Sequence, residues 1–271
     1  MQELKHIIFN TVTEASRKMA PGELEKSVAG ATGLDRKTVR LAIKDLVSLG
    51  ELTYTYVYGT SFLEKSFDRP VRVSKRIVIK PPDKTYQPQP GDVVLSIAGG
   101  AAFGNGAHPS TYLALRALDR ILSDCHFVKL DTPLKGLDIG TGTGVLAIAL
   151  AGLGVHEVVG LDIDVCAVSE AIHNVQLNGL AAQVSISNTP LEGLKQCFAV
   201  IMANLAYPTL TRLSSLLSKK LEQGGVLILS GFKEPATKDL RDAYAEQDLR
   251  LIQEEIDREW VCLVFRKPGQ P

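Results

Sequence analysis

The side chains able to do chemistry gather at three places in the chain. Asp138 is followed by Gly140-Thr141-Gly142-Thr143-Gly144, and Asp162 stands 22 residues beyond Gly140. Asn204 closes the apolar run Phe198-Ala199-Val200-Ile201-Met202-Ala203, with Tyr207 three residues on. Between Ala101 and Thr111, small residues surround Phe103 and His108. Glycines let a backbone turn tightly and approach a ligand with no Cβ in the way, and a helix starting behind them presents unpaired N–H groups. A carboxylate about 20 residues further on is placed to accept from ribose hydroxyls. These are the parts of a nucleotide-type cofactor site.

The glycine spacing separates cofactors. A dinucleotide turn, G-x-G-x-x-G, wants its third glycine at position 145, which is Val145. The observed G-x-G-x-G is the S-adenosylmethionine pattern. A sulfonium is already an activated electrophile, so methyl transfer from it needs in-line geometry and exclusion of water, not a metal or a covalent intermediate. Asn204 is the first candidate for the catalytic position, its carbonyl accepting from a target amine. Asn204-Leu205-Ala206-Tyr207 is also similar to the N-P-P-Y segment of amino-group methyltransferases with both prolines replaced, which adds Tyr207. Asp162 is assigned to the ribose. Asp138 either orients the glycine turn or reaches the cofactor's ammonium, Asn188 stands where the adenine amino group is met, and Phe103 and His108 either cover the methionine end or shape the loop.

Those residues need elements to hold them, and the apolar pattern supplies these. Leu137-Asp138-Ile139 reads as a strand and Val145 to Leu153 as its helix; Val158 to Leu161 is the next strand and Val165 to Leu177 the next helix. Gln183 to Ser187, Phe198 to Ala203 and Val226 to Leu229 are further strands, with helices over Thr209 to Leu221 and Thr237 to Gln247. Leu249 to Glu254 and Trp260 to Phe265 form a closing hairpin. Repeated β-α units imply an α/β fold, a doubly wound Rossmann-like parallel sheet with sites at the strands' C-terminal ends, where Gly140, Asp162, Asn188 and Asn204 all fall. Upstream, Val71-Arg72-Val73, Arg76 to Ile79 and Val93 to Ile97 are extended, and Pro109 opens a helix with Leu113, Ala117, Leu118, Ile121 and Leu122 on one face.

The first part of the chain has another character. Apolar residues at Leu4, Ile7, Ile8, Val12, Ala15 and Met19 give a helix over Gln2 to Met19; a short helix follows around Glu23 to Ala29, and a third begins at Asp35. Leu52 to Tyr58 alternates as a strand, turns at Gly59-Thr60 and returns through Ser61 to Phe67. Three helices and a hairpin read as a small winged-helix-like domain over residues 1–68, with the methyltransferase domain over 69–271. Its third helix carries Arg36, Lys37, Arg40 and Lys44 outward, the arrangement of a nucleic-acid reader, although winged helices also dock proteins. Residues 1–80 hold 14 Lys/Arg against 9 Asp/Glu, and the remainder 16 against 21.

The 271 residues accommodate both domains, and 45% hydrophobic residues supply a core. No run approaches the roughly 18 apolar residues of a membrane helix and the N-terminus lacks the form of a signal peptide, so a cytoplasmic location is expected. Cys125, Cys166, Cys197 and Cys262 are widely spaced, which argues against a zinc site or disulfide framework; all four are read as core thiols.

Ala102 to Thr111, Leu137 to Gly144, Val159 to Asp164, Ala203-Asn204-Leu205, Leu229-Ser230-Gly231 and Glu259-Trp260-Val261 recur in this order in the PrmA-type methyltransferases, which modify a ribosomal protein on lysine and terminal amines. Residues 70 to 271 resemble that family. The resemblance implies S-adenosylmethionine as cofactor, held at Thr111, Gly140, Asp162 and Asn204, and an amine acceptor, a ribosomal protein first among them. Asn105 and Ala107 replace two threonines of the family loop, and the family's own recognition domain is ferredoxin-like, unlike residues 1–68. Two rival readings therefore stay open: a methyltransferase acting on RNA or DNA amino groups, and a DNA-binding regulator that senses the cofactor.

Overall fold

The computed structural model describes residues 1–15, 17–57, 59–66, 68–99, 108–124 and 133–269. It divides into two compact units, Met1–Arg69 and Pro70–Pro271.

In the first unit, α1 (Gln2–Glu14), α2 (Pro21–Thr32) and α3 (Arg36–Ser48) precede an antiparallel hairpin of β1 (Leu52–Val57) and β2 (Thr60–Lys65). Residues spaced by three or four put Leu4, Ile8 and Val12, Leu24 and Val28, and Val39, Ile43 and Leu46 into one buried cluster with Leu52 and Leu63. α3 starts cleanly because Asp35 accepts the N–H groups of Lys37 and Thr38 at 2.9 and 3.0 Å. α1 ends five residues short of Met19. Met19 is extended instead, its carbonyl accepting the Leu63 N–H at 3.0 Å, and Pro21 opens α2.

The second unit starts with a small three-stranded sheet that joins the extended segments. Here β3 (Val71–Arg72) lies antiparallel to β4 (Ile77–Lys80), which runs parallel to β5 (Val93–Ser96). After α4 (Pro109–Ser123) come β6 (Lys135–Ile139), α5 (Val145–Gly152), β7 (Glu157–Leu161), α6 (Val165–Leu177), β8 (Val184–Ser187), β9 (Phe198–Asn204), α7 (Tyr207–Lys220), β10 (Leu221–Lys233), α8 (Thr237–Ala245), β11 (Arg250–Asp257) and β12 (Trp260–Arg266). The seven-stranded sheet has the order β11-β12-β10-β9-β6-β7-β8; its five strands from β10 to β8 are parallel, β12 runs antiparallel to β10, and β11 runs antiparallel to β12.

Two cores form because successive residues of a strand point to opposite faces. Val200, Met202, Val226 and Ile228 pack with α4, α5 and the small sheet. Their neighbours Ile201, Ala203, Leu227 and Leu229 pack with Leu210 and Leu217 of α7 and Leu240 and Tyr244 of α8. This is the doubly wound Rossmann-like sheet. The thiols are not all in it. Cys262 is buried, but Cys166, in the first turn of α6, and Cys197, before β9, are exposed, and Cys125 lies outside the described residues. Among the described residues no helix is long and apolar enough to cross a membrane, and no group of His, Cys, Asp and Glu could hold a metal ion.

Candidate active site

β6 has β7 on one side and β9 on the other, so the connections leave it in opposite directions and a crevice opens at the strands' C-terminal ends. A cavity of about 770 Å³ occupies it. Its described walls are Gly140 and Gly142 after β6, Leu161 to Asp164 after β7, Asn188 to Glu192 after β8, and Asn204 to Ala206 after β9. Thr209, Arg212 and Leu213 of α7, together with Ile139, Ala167, Gly231, Trp260, His108 and Ser110, complete them.

The glycine turn is built without slack. Gly140 has φ +69°, and a Cβ there would fall 2.3 Å from Leu205 Cδ2. Asp138 lies fully buried beneath the turn, where Thr141 Oγ1 donates to its Oδ2 at 2.6 Å and the Ala147 N–H does so at 3.1 Å. It therefore takes one of the donors of the α5 N-terminus, and it is not among the described wall residues. These bonds are those of the orienting role; its Oδ1 has no hydrogen-bond partner among the described residues. Burial pushes its carboxyl up to about 7, the Thr141 and Ala147 bonds oppose this, and the charge of Asp162 adds to it. Gly144 caps α5 against Ala171 and also stands back from the cavity.

Asp162 is at the wall. Its Oδ2 accepts the Gly142 N–H at 2.9 Å and its Oδ1 the Asp164 N–H at 3.0 Å, and each oxygen has a second lone pair for a ligand hydroxyl. Beside it, Ile163 is 98% exposed, and with Ala167 and Leu191 it gives this wall apolar side chains. Asn188 is an exposed residue of the same wall.

At the other end, Asn204 Nδ2 donates to Thr111 Oγ1 at 3.2 Å, while Asn204 Oδ1 is buried with no hydrogen-bond partner among the described residues. An orphaned buried acceptor is costly, and a donor arriving in the cavity would relieve it. Thr111 is fully buried and is not among the described wall residues. His108 caps α4, its Nδ1 accepting the Ser110 N–H, and its ring meets Trp260 edge-on with centroids 4.3 Å apart. Tyr207 is not brought to the site. It is the first residue of α7, and its hydroxyl donates to Asp239 at 3.0 Å, which turns the ring toward α8 and raises its pKa. Phe103, like Asn105 and Ala107, lies outside the described residues.

Sequence reasoning missed the supports. On α6, buried Asn174 accepts the Ala98 N–H at 2.9 Å and donates to the Thr143 carbonyl at 2.9 Å, tying the segment after β5 to the glycine turn. One turn on, Asn178 brackets Ser96, accepting its N–H and donating to its carbonyl. Two amides four residues apart on one face of a helix were the available signal. Ser230 and Trp260 sat in quoted motifs without a role.

In the first unit the four cations of α3 are not equivalent. Arg40 holds Glu25 through Nε and Nη2 at 2.7 and 2.9 Å, and Arg36 joins at 3.3 Å. Glu25 is 5% exposed, and the Arg40 hydrogen bonds hold its carboxyl below the usual range. Lys37 and Lys44 are left exposed. The charge excess also moves: residues 1–69 hold ten Lys/Arg against nine Asp/Glu, because Arg72, Lys75, Arg76 and Lys80 lie in the second unit.

The model of the ribosomal protein L11 methyltransferase (PrmA) family matches residues 62–268. The chain belongs to the PrmA family. It is 45% identical to the ribosomal protein L11 methyltransferase of Geobacter sp. (strain M21) over 200 residues, 74% of this chain and 64% of that protein. With that of Citrifermentans bemidjiense it is 44% identical over the same shares. The chain thus spans 64% of the length of these PrmA relatives. Among solved structures, a ribosomal protein L11 methylase from Lactobacillus delbrueckii subsp. bulgaricus superposes with a TM-score of 0.65 at 29% identity, covering 73% of this chain and 99% of that one. A methyltransferase from Pyrococcus furiosus shares the fold, with a TM-score of 0.51 at 19% identity over 64% of this chain and 89% of that one.

Proposed function

We propose that the second unit is an S-adenosylmethionine-dependent protein N-methyltransferase acting on lysine or N-terminal amines, with ribosomal protein L11 as acceptor. The observation that carries the reading is the pairing, in one cavity, of a glycine turn and Asp162 with the orphaned Asn204 Oδ1, in a chain of the PrmA family. Asp162, Asp164 and Glu192 against Arg212 give the walls an acidic balance, which favours a cationic ligand. When bound, the cofactor supplies a methyl group on a positively charged sulfur that leaves with the S–C electron pair.

The protein's own residues bind and aim. Asp162 takes the ribose hydroxyls and the apolar side chains of Ile163, Ala167 and Leu191 the base, with Asn188 on the same wall. Asn204 accepts one N–H of the acceptor amine, which directs the lone pair across the cavity; His108 and Trp260 wall that end against water. The amine must arrive unprotonated. At pH 7 this costs about 4.6 kcal/mol for a lysine of ordinary pKa and about 1.4 for an α-amine, and desolvation reduces both. No wall residue has to act as a strong base.

The first unit, winged-helix-like over residues 1–68, serves partner recognition in this reading. With Arg36 and Arg40 engaged by Glu25 and a net charge of +1 over residues 1–69, a protein partner is favoured over nucleic acid. An enzyme serving ribosomal proteins works in the cytoplasm. The test is incubation with labelled S-adenosylmethionine and ribosomal extract, with and without nuclease: label is expected in protein and resistant to nuclease, and label confined to nucleic acid would overturn the reading.

A further inference from the structure

We propose that Ser110 is a positioning residue that fixes His108 in its Nε2–H tautomer, so that the imidazole offers the cavity a hydrogen-bond donor and not a base. The proposal deepens the methyltransferase reading above and rests on it. A helix N-cap side chain accepts a backbone N–H, a task usually given to an oxygen. Here an imidazole does it. His108 is the N-cap of α4, its backbone extended at φ −81° and ψ 136°, and its Nδ1 accepts the Ser110 N–H at 3.3 Å. A ring nitrogen accepts only when it carries no proton, so in the neutral ring the proton resides on Nε2.

The Ser110 hydroxyl makes the choice firm. Its Oγ lies 2.7 Å from the same Nδ1, and with that nitrogen bare it is the hydroxyl that donates. Ser110 is fully buried, and its carbonyl accepts the Ser230 hydroxyl at 3.0 Å, which ties it to β10. Trp260 holds the imidazole from another side, the two rings meeting at 76°. A second proton on the imidazole would break both bonds to Nδ1 and set a positive charge at the positive end of α4. His108 and Ser110 both line the cavity. With Nδ1 spent on the cap and Nε2 already protonated, the ring has no lone pair for an amine proton; it presents an N–H suited to an oxygen of the reactants, on the cofactor or on the acceptor chain. A helix start that keeps an imidazole working through its N–H is a known catalytic device.

The experiment has two arms, both on the full chain. The first is nuclear magnetic resonance of isotopically labelled histidine ring nitrogens at pH 8; the chain has five histidines, and the signals lost in His108→Gln are those of His108. They are expected to show the Nε2–H tautomer in wild type, an admixture of the Nδ1–H form in Ser110→Ala, and the wild-type pattern again in Ser110→Thr. The second arm measures methylation of purified ribosomal protein L11, with cofactor affinity by calorimetry. His108→Ala is expected to lower kcat/KM about 10- to 100-fold, and His108→Gln, whose amide keeps an N–H but takes no proton, less than about threefold. Ser110→Ala is expected to fall between them and Ser110→Thr to recover. A weakened cofactor Kd places the oxygen on the cofactor, a raised KM for L11 on the acceptor chain. An Nδ1–H tautomer in wild type, a spectrum or rate unmoved by Ser110→Ala, or a His108→Gln as poor as His108→Ala would overturn the proposal. Failure of wild type to methylate L11 would overturn the functional reading instead, and the spectra would still decide the tautomer.

Discussion

Asp138 makes the second unit's stability depend on pH in an unusual direction. An ordinary aspartate titrates near 3.9, whereas burial pushes this one up to about 7 in the folded protein. Between those values the unfolded chain is ionised and the folded chain keeps its proton, so the native state binds more protons and stability falls as pH rises. The slope from this one group is about 1.4 kcal/mol per pH unit, and the fall accumulates to about 4 kcal/mol by pH 7, then levels off. Asp138→Asn is neutral throughout. Its carbonyl can keep the Thr141 and Ala147 donors, so the variant loses the pH dependence rather than the contacts. Urea unfolding followed by fluorescence of Trp260, the single tryptophan, reports on this unit. The stability of wild type relative to Asp138→Asn is expected to decline steadily from pH 4.5 to 7 and stay level to pH 8.5. A difference independent of pH, or one that grows with pH, would refute the assignment of a buried, proton-retaining carboxyl.

Other consequences follow from single contacts. Asn174→Ala strands the Ala98 N–H and the Thr143 carbonyl, and a loss of about 2–4 kcal/mol in the same urea assay is expected. Arg40→Met removes the principal partner of nearly buried Glu25; it should lower the melting temperature of the first unit, while Lys37→Glu leaves it nearly unchanged, both read by far-UV melting. Asp162→Ala is expected to weaken S-adenosylmethionine about 10- to 100-fold by calorimetry. For a lysine acceptor, the initial rate should rise close to tenfold per pH unit below the amine's pKa; a flat profile between pH 6 and 8 would mean that deprotonation is not part of the barrier.

Much of this was legible because the relevant signals are local. The strand-glycine-helix sequence from Leu137 to Leu153 and the acid at Asp162 are encoded within a few residues of where they act, and the alternation of Val200, Ile201, Met202 and Ala203 already describes a strand with two covered faces. What was not legible depends on contacts distant in sequence. Tyr207 was placed beside Asn204 by proximity along the chain, but the α7 start and Asp239, 32 residues away, turn it aside. Arg36 and Arg40 read as outward cations because Glu25 lies on another helix. Asn174 reaches back 76 residues to Ala98, and Thr111 meets Asn204 across 93, pairings that no periodicity announces. Wide spacing along the chain misplaced Cys166 and Cys197 in the core, since a cysteine in the first turn of a helix or before a strand is buried only if something covers it.

The most direct test of the account is mass spectrometry of purified ribosomal protein L11 after incubation with this protein and S-adenosylmethionine, comparing wild type with Asn204→Ala. The account predicts methyl groups on lysine or N-terminal amines with wild type and a rate about 100-fold lower with Asn204→Ala, at nearly unchanged cofactor affinity. Unmodified L11 with wild type, or equal modification by both proteins, would contradict it.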